Sequence, residues 1–403
     1  MESARGNISR KGRTGQARRF AIVLAAIVLS VVYYRLFYYP FIGMGLVWLF
    51  GFGALAFFYR KRWRLILVYL AWGSLAIAMV ESFFWIRNHE HLSARVVSGL
   101  SKSEVKYSPD LGKAPLPNVV VQAKKVAEGE TVYDVRYEID GDGLRAYPDL
   151  EEGESLLFLG GSIAFGEGLS LEETMAYRVA NALGMTAYNL GFPGYGPHQM
   201  LRSIEIGRLK ALVEKPPRAA IFLTFWNHIP RLAGRAPWDT LGPKYVLTES
   251  GEVVYSGRFS SSRWVGAVGL VVHELQQKST TYRSLFGGED AVSDDEIKLF
   301  AEVTKRMANL LEESYPAIDF RVIFIDFDED IFPDDRIVAK ASEALRTRNI
   351  SATSTRNIYS DYGSNPEKYH LSKYDNHPTA LANEEIADYI VKTIGEGALK
   401  RRR

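Results

Sequence analysis

Ser162 stands where an apolar run, Leu156-Leu157-Phe158-Leu159, breaks on Gly160 and Gly161 and gives way to a helical pattern. Far downstream, Asp375-Asn376-His377-Pro378 leads into the last helical stretch. A serine hydroxyl is a poor nucleophile near neutral pH unless an imidazole removes its proton, and the imidazole needs a carboxylate to fix its tautomer. Ser162, His377 and Asp375 are therefore an inventory for acyl transfer through a covalent seryl intermediate, provided that the fold brings them together. The two glycines allow a sharp turn and leave Ser162 at a helix N-terminus, where free N–H groups face a developing oxyanion. The same three residues also read as a plain capping turn or as a phosphate-binding turn. The lysine of a nucleotide loop and the third glycine of a dinucleotide loop are missing, which weighs against phosphate.

Two further loops follow short apolar runs. In Asn189-Leu190-Gly191-Phe192-Pro193-Gly194 the Gly194 N–H suits the approach of an oxyanion that a side chain would obstruct. In Phe225-Trp226-Asn227-His228 the Asn227 amide suits donation from the opposite side, while Asn189 reads as a turn residue at a strand end. Asp375 and His377 alone would read as a helix cap, with Pro378 in the first turn. His89, His91, His198, His228, His273 and His370 lack the spacing of metal ligands, so neither a metal nor a cofactor is expected. Trp226, Trp238 and Trp264 are packing residues first and sugar-stacking candidates second. With no cysteine, the chain has no disulfide, thiolate nucleophile or Cys-ligated zinc.

Short apolar runs alternating with helical patterns must position these groups. The runs are 155–159, 186–190, 219–225 and 320–327; helices are expected at about 171–183, 197–213, 293–313, 334–346 and 379–394. That alternation predicts an α/β fold with a parallel sheet covered on both faces and a site beyond the carboxyl ends of its strands. Residues 229–292 form a long insertion with its own hairpin, Tyr245–Phe259, suited to a lid or substrate wall. Upstream, Thr131–Tyr147 reads as a hairpin turning at Asp140-Gly141-Asp142-Gly143, and 89–122 as a polar stalk.

Charge is distributed unevenly along the 403 residues. Residues 1–64 hold eleven of the 49 basic side chains and one of the 47 acidic ones, so the remaining 38 and 46 give residues 65–403 a net charge of −8. An acidic remainder argues against nucleic-acid binding, which needs Lys and Arg on the binding face. The stretches 20–37, 41–59 and 65–86 are each long enough, at about 1.5 Å per residue, to span roughly 30 Å of hydrocarbon. Three crossings put the basic segments Arg5–Arg19 and Arg60–Arg64 on one side and residues 87–403 on the other. Arg35 reads as snorkelling, Glu81 as solvated near the end of its span, and a cleaved signal peptide is disfavoured by the missing small-residue site.

Taken together, the four blocks around Ser162, Gly194, Asn227 and His377 resemble the SGNH (GDSL-like) hydrolase superfamily, over about residues 154–396. The resemblance implies a three-layer, flavodoxin-like α/β fold. It implies Ser162 as nucleophile, His377 as base, Asp375 as its partner, and Ser162, Gly194 and Asn227 as the oxyanion hole. Gly160-Gly161-Ser162 replaces Gly-Asp-Ser, Phe225-Trp226-Asn227-His228 lacks the Gly and Asp of Gly-x-Asn-Asp, and Asp375 precedes His377 by two residues instead of three. The expected map is a basic cytoplasmic tail (1–19), a three-helix membrane anchor (20–88), a stalk and hairpin (89–153) and the hydrolase-like domain (154–399). The expected protein is a multi-pass enzyme of a bacterial inner membrane whose periplasmic domain acts on O-acetyl groups of an envelope glycan or on small esters. One alternative is an O-acyltransferase of a surface polysaccharide, which needs a multi-span membrane partner to carry the acyl donor. The other is a non-catalytic glycan-binding or assembly protein.

Overall fold

The computed structural model describes residues 2–36, 40–59, 62–87, 94–100, 104–148, 153–261, 279–282, 292–326 and 335–401. The chain divides into two compact units, Met1–Leu92 with Ala267–Glu289, and Ser93–Gly266 with Asp290–Arg403. His89, His91, Trp264 and His273 lie outside the described residues, as does the side chain of Arg35.

The first unit is built on helices Glu2–Leu36, Phe41–Ala56 and Arg62–Arg87. Two segments, Gln16–Tyr34 and Arg62–Arg87, are long and apolar enough to cross a membrane. The middle helix is apolar but has only 16 residues, about 24 Å of rise against a hydrocarbon core of about 30 Å. The expectation of three full-length spans is corrected to two long helices and a shorter one. The short helix packs closely on the third: a Cβ at Gly45 would lie 2.9 Å from the Ser74 carbonyl oxygen. Glu81 is also corrected. It is 5 % exposed, and its carboxylate accepts bonds from the Thr280 N–H at 2.9 Å, the Thr280 hydroxyl at 2.7 Å and the Ser279 hydroxyl. The insertion thus returns a segment to the helical unit, and a buried carboxylate is satisfied there by donors instead of by water.

The second unit begins with strands where a stalk was expected: β1 (Ala94–Ser98), β2 (Val105–Ser108), β3 (Gly112–Pro115), β4 (Val119–Ala127) and β5 (Glu130–Ile139). β1, β4 and β5 form an antiparallel sheet, and β2 pairs with β3. The expected hairpin across 140–143 is corrected as well. β5 pairs with β4 through a two-residue turn at Glu128 and Gly129, whose φ values of 49° and 86° give the twist a tight hairpin needs. The Asp140–Gly143 turn only returns the chain to an isolated bridge between Ile139 and Arg145.

The central sheet comprises β6 (Ser155–Gly160), β7 (Thr186–Asn189), β8 (Pro217–Thr224) and, beyond an excursion carrying the hairpin β9 (Pro243–Leu247) and β10 (Val253–Arg258), β11 (Asp319–Phe324) and β12 (Ser351–Ser354). All its pairs are parallel, in the order β12-β11-β8-β6-β7. Leu156 to Leu159 are fully buried, as expected where both faces are covered. Alternation sends them to opposite cores. Leu157 and Leu159 join Phe222, Phe300 and Leu311, while Leu156 and Phe158 join Val179, Ile386 and Ile390. Each such side chain contributes about 1.5–3 kcal/mol.

Helices Met175–Leu183 and Ala380–Arg401 supply the second of those cores, and Pro197–Glu205, Asp294–Ser314 and Asp335–Arg346 supply the first. Their starts are capped: Thr174 accepts from the Tyr177 N–H, and Ser293 and Glu296 form a reciprocal capping box. The expected helix 197–213 is divided by Gly207, at φ 73°, into Pro197–Glu205 and Arg208–Leu212. The polar edge strand β12 was not expected at all, because Ser-Ala-Thr-Ser carries no apolar run.

Candidate active site

β6 ends on Gly160, Gly161 caps the turn that follows, and Ser162 opens that single helical turn, Ser162–Phe165. No larger residue fits either glycine. Gly160 has φ 149°, and a Cβ there would lie 2.6 Å from the Leu223 carbonyl oxygen; at Gly161 it would lie 2.8 Å from the Tyr195 carbonyl oxygen. Both obstacles are backbone, so the turn that presents the hydroxyl depends on glycine.

Asp375 and His377 lie on β14 (Asp375–Pro378), which pairs antiparallel with β13 (His370–Ser372). Side chains two apart on a strand share a face, and this explains how a two-residue spacing still forms the dyad. His377 Nδ1 lies 2.6 Å from Asp375 Oδ1, and His377 Nε2 lies 2.8 Å from Ser162 Oγ. The Asp375 carboxylate also accepts from the His377 N–H at 3.0 Å. With Nδ1–H donating to Asp375, the Nε2 lone pair accepts from the Ser162 hydroxyl, which is the tautomer that can take its proton.

The three-stranded sheet supplies groups that sequence reasoning missed. Lys125 on β4 donates to Asp375 Oδ2 at 2.9 Å, with the carboxylate almost fully buried. Tyr133 on β5 donates to Glu167 Oε1 at 3.3 Å, and the other Glu167 oxygen lies 3.6 Å from His377 Nε2. Arg145, buried under the same loop, donates to the carbonyls of Phe165 and Gly166 at 2.8 Å and of Leu169 at 2.7 Å, while Tyr137 Oη accepts from the Gly168 N–H. Arg145 and Tyr137 therefore fix the turn that carries Glu167. No local motif marks these residues: Lys125 finds its partner on a different sheet, and Tyr133, Tyr137 and Arg145 find theirs on the loop after the Ser162 turn.

Neighbouring charges and burial act on both Asp375 and His377. Burial alone would raise the Asp375 carboxyl, but His377 and then Lys125 outweigh it and hold it well below the usual carboxylate range. Burial opposes charging of His377, yet Glu167 and then Asp375 outweigh it and hold the imidazole above the ordinary histidine value, with Lys125 pulling the other way. Tyr133 is raised by burial and then by Glu167, so its hydroxyl stays a donor.

Gly194 and Asn227 follow β7 and β8, the strands on either side of β6. Gly194 has φ 82°. Its loop is pressed against the Ser162 turn, since a Cβ at neighbouring Gly191 would lie 2.6 Å from the Ala164 Cβ. Neither residue is bonded to Ser162, and among the described residues the Asn227 side chain makes no hydrogen bond. Asn189 is a bracket: fully buried, it donates to the Ala164 carbonyl at 2.6 Å and accepts from the Gly191 N–H at 2.9 Å. His228, beside Asn227, is buried with Nδ1 3.0 Å from the Thr224 hydroxyl, and burial, then Arg231, keeps it neutral. His198 lies 2.5 Å from Asp239. No group of three His, Asp or Glu side chains suited to a metal ion occurs among the described residues.

No protein-family model matches the chain, and no curated protein sequence matches it. Several solved structures are similar to it. One is a lipolytic protein of the G-D-S-L family from Veillonella parvula, at 13 % identity and TM-score 0.35, covering 60 % of this chain and 97 % of that one. Another is an acetyl xylan esterase from the rumen bacterium Butyrivibrio proteoclasticus, at 11 % identity and TM-score 0.33, covering 71 % and 72 %. A third is a salicylyl-acyltransferase from a tetracycline biosynthetic pathway, at 13 % identity and TM-score 0.35, covering 63 % and 58 %. The chemistry assigned to this chain rests on its own side-chain geometry, not on these likenesses.

Proposed function

We propose that the protein is a serine esterase of the SGNH type that removes acyl groups, most simply acetyl, from a cell-envelope glycan. The observation that carries the reading is the unbroken chain from the Asp375 carboxylate through His377 to the Ser162 hydroxyl, with steps of 2.6 and 2.8 Å. In this reading Ser162 Oγ attacks the ester carbonyl while His377 Nε2 takes its proton. The oxyanion is stabilised by the N–H groups of Ser162 and Gly194 and the Asn227 amide. The imidazolium, held by Asp375, then protonates the departing sugar oxygen. Water enters as His377 removes its proton, and its attack on the acyl-serine releases the carboxylic acid and restores the hydroxyl.

The membrane setting belongs to the same proposal. Two long apolar helices and the short apolar helix between them support an inner-membrane anchor; with the short helix counted as a third crossing, the basic residues of 1–64 stay on the cytoplasmic side and the esterase unit lies on the periplasmic side. Anchoring confines the enzyme to substrates at the envelope surface.

The test is hydrolysis of an aryl acetate together with labelling by a fluorophosphonate. The wild-type protein should do both and Ser162→Ala neither. A Ser162→Ala protein with full activity would overturn the proposal.

A further inference from the structure

Beside the Gly194 loop lies a cation that the triad does not use. Lys113 on β3 reaches across to Gly194, where a Cβ would stand 2.6 Å from its ammonium nitrogen. Its own backbone is fixed there, because the Tyr195 hydroxyl donates to the Lys113 carbonyl at 2.6 Å. The ammonium stands 5.8 Å from the centre of the Phe192 ring, and among the described residues it makes no hydrogen bond or ion pair. Burial lowers the Lys113 pKa, an effect that Asp239 and Glu167 oppose and Arg231 reinforces. Lys113 is partly buried, and a partly desolvated ammonium with no acceptor is stabilised by an incoming anion. Neighbouring Trp238 offers the other half of a sugar site. It is half exposed, its indole N–H donates to the Gly194 carbonyl at 3.3 Å, and Arg231 packs 5.2 Å from its ring.

We infer that Lys113 and Trp238 form a subsite for a sugar unit carrying a single negative charge, next to the unit whose ester is cleaved. One cation is on offer, which favours a single negative charge: Arg231 already donates to the Tyr195 carbonyl, whereas among the described residues the Lys113 ammonium has no acceptor. A uronate carboxylate on a ring stacked against the indole satisfies both groups; a phosphodiester-linked sugar offers the same charge. The assignment of the subsite as a neighbour of the scissile ester rests on the esterase reading. The anion site itself does not.

Two measurements on the full chain in detergent test the inference. In the first, a Ser162→Ala protein is titrated with a deacetylated oligouronate, a phosphodiester-linked oligosaccharide and a neutral xylo-oligosaccharide. The oligouronate should bind at least tenfold more tightly than the neutral sugar, and adding Lys113→Met should erase the difference while Lys113→Arg retains most of it. Preference for the phosphodiester would keep the cation site and change its ligand. Equal binding of acidic and neutral sugars, or binding of none, overturns the inference. In the second, Lys113→Met in the active protein should raise KM for an acetylated oligouronate at least tenfold more than for an acetylated xylo-oligosaccharide, whereas Trp238→Ala should weaken both alike. Equal losses for Lys113→Met overturn the subsite. If no substrate is hydrolysed and no serine is labelled, the esterase reading falls, and the binding titration still decides the cation site.

Discussion

Lys125 and Asp375, 250 positions apart, form an ion pair of 2.9 Å in which the carboxylate is 1 % exposed. The pair ties the antiparallel sheet to the strand that carries the imidazole. It also gives the Asp375 carboxylate two competing cations, His377 and Lys125, and that competition makes the basicity of His377 adjustable.

Lys125→Met should move the acid limb of the kcat/KM profile to higher pH. Only neutral His377 can accept the Ser162 proton, so activity rises as the imidazole loses its charge. Lys125 disfavours that charge, and removing it stabilises the imidazolium and raises the pH at which the base becomes available. A shift of about one pH unit corresponds to roughly 1.4 kcal/mol. Aryl acetate hydrolysis measured from pH 5 to 9 on purified protein checks the direction.

Glu167→Gln should shift the same limb the opposite way. Glu167 is the leading favourable influence on protonated His377, with an oxygen 3.6 Å from Nε2. Without its charge the base is free at lower pH. If both variants moved the limb in one direction, the opposition between Lys125 and Glu167 would be wrong.

Asp375→Asn should lower kcat by about 10⁴-fold, because a neutral amide neither fixes the Nδ1–H tautomer nor stabilises the imidazolium. The variant should also change how stability depends on pH. The depressed carboxyl contributes stability that is present above its unfolded value and lost as pH falls through the folded one. The raised imidazole contributes stability that is present below its unfolded value and lost as pH rises through the folded one. Wild-type Tm should therefore fall on both sides of a window between an ordinary carboxylate and an ordinary histidine, and Asp375→Asn should flatten the acid side. Thermal melts across pH 3 to 9 measure this.

Gly160→Ala should destabilise the protein by at least about 2 kcal/mol. The positive φ and the Leu223 carbonyl oxygen 2.6 Å from the added carbon act together, and no flexible side chain is available to yield. Chemical denaturation with an unchanged m-value would separate this from a change in compactness.

What was legible in the chain was whatever is local. The glycines before Ser162 announce their turn because only they fit it, and the continuous run Leu156–Leu159 announces a strand covered on both faces. The contact between Asp375 and His377 was legible because residues two apart on an extended segment share a face. Lys125, Glu167 and Arg145 were not visible, because their partners lie far along the chain or on a loop that no local pattern marks, and a lysine on a polar strand looks like any solvated lysine. The hairpin was misplaced because Asp140-Gly141-Asp142-Gly143 is a stronger turn signal than Glu128-Gly129, although the latter makes the turn between β4 and β5. Glu81 looked solvated because its partners arrive from about two hundred positions away, at 279 and 280.

The chain passes from one compact unit to the other three times, after residues 92, 266 and 289. A protease that cut only after Leu92 would leave the second unit covalently joined to the segment whose Ser279 and Thr280 donate to Glu81. Shedding by a single nick should therefore fail until that second mooring is broken, and a Glu81→Ala protein should release its clipped domain far more readily than the wild type.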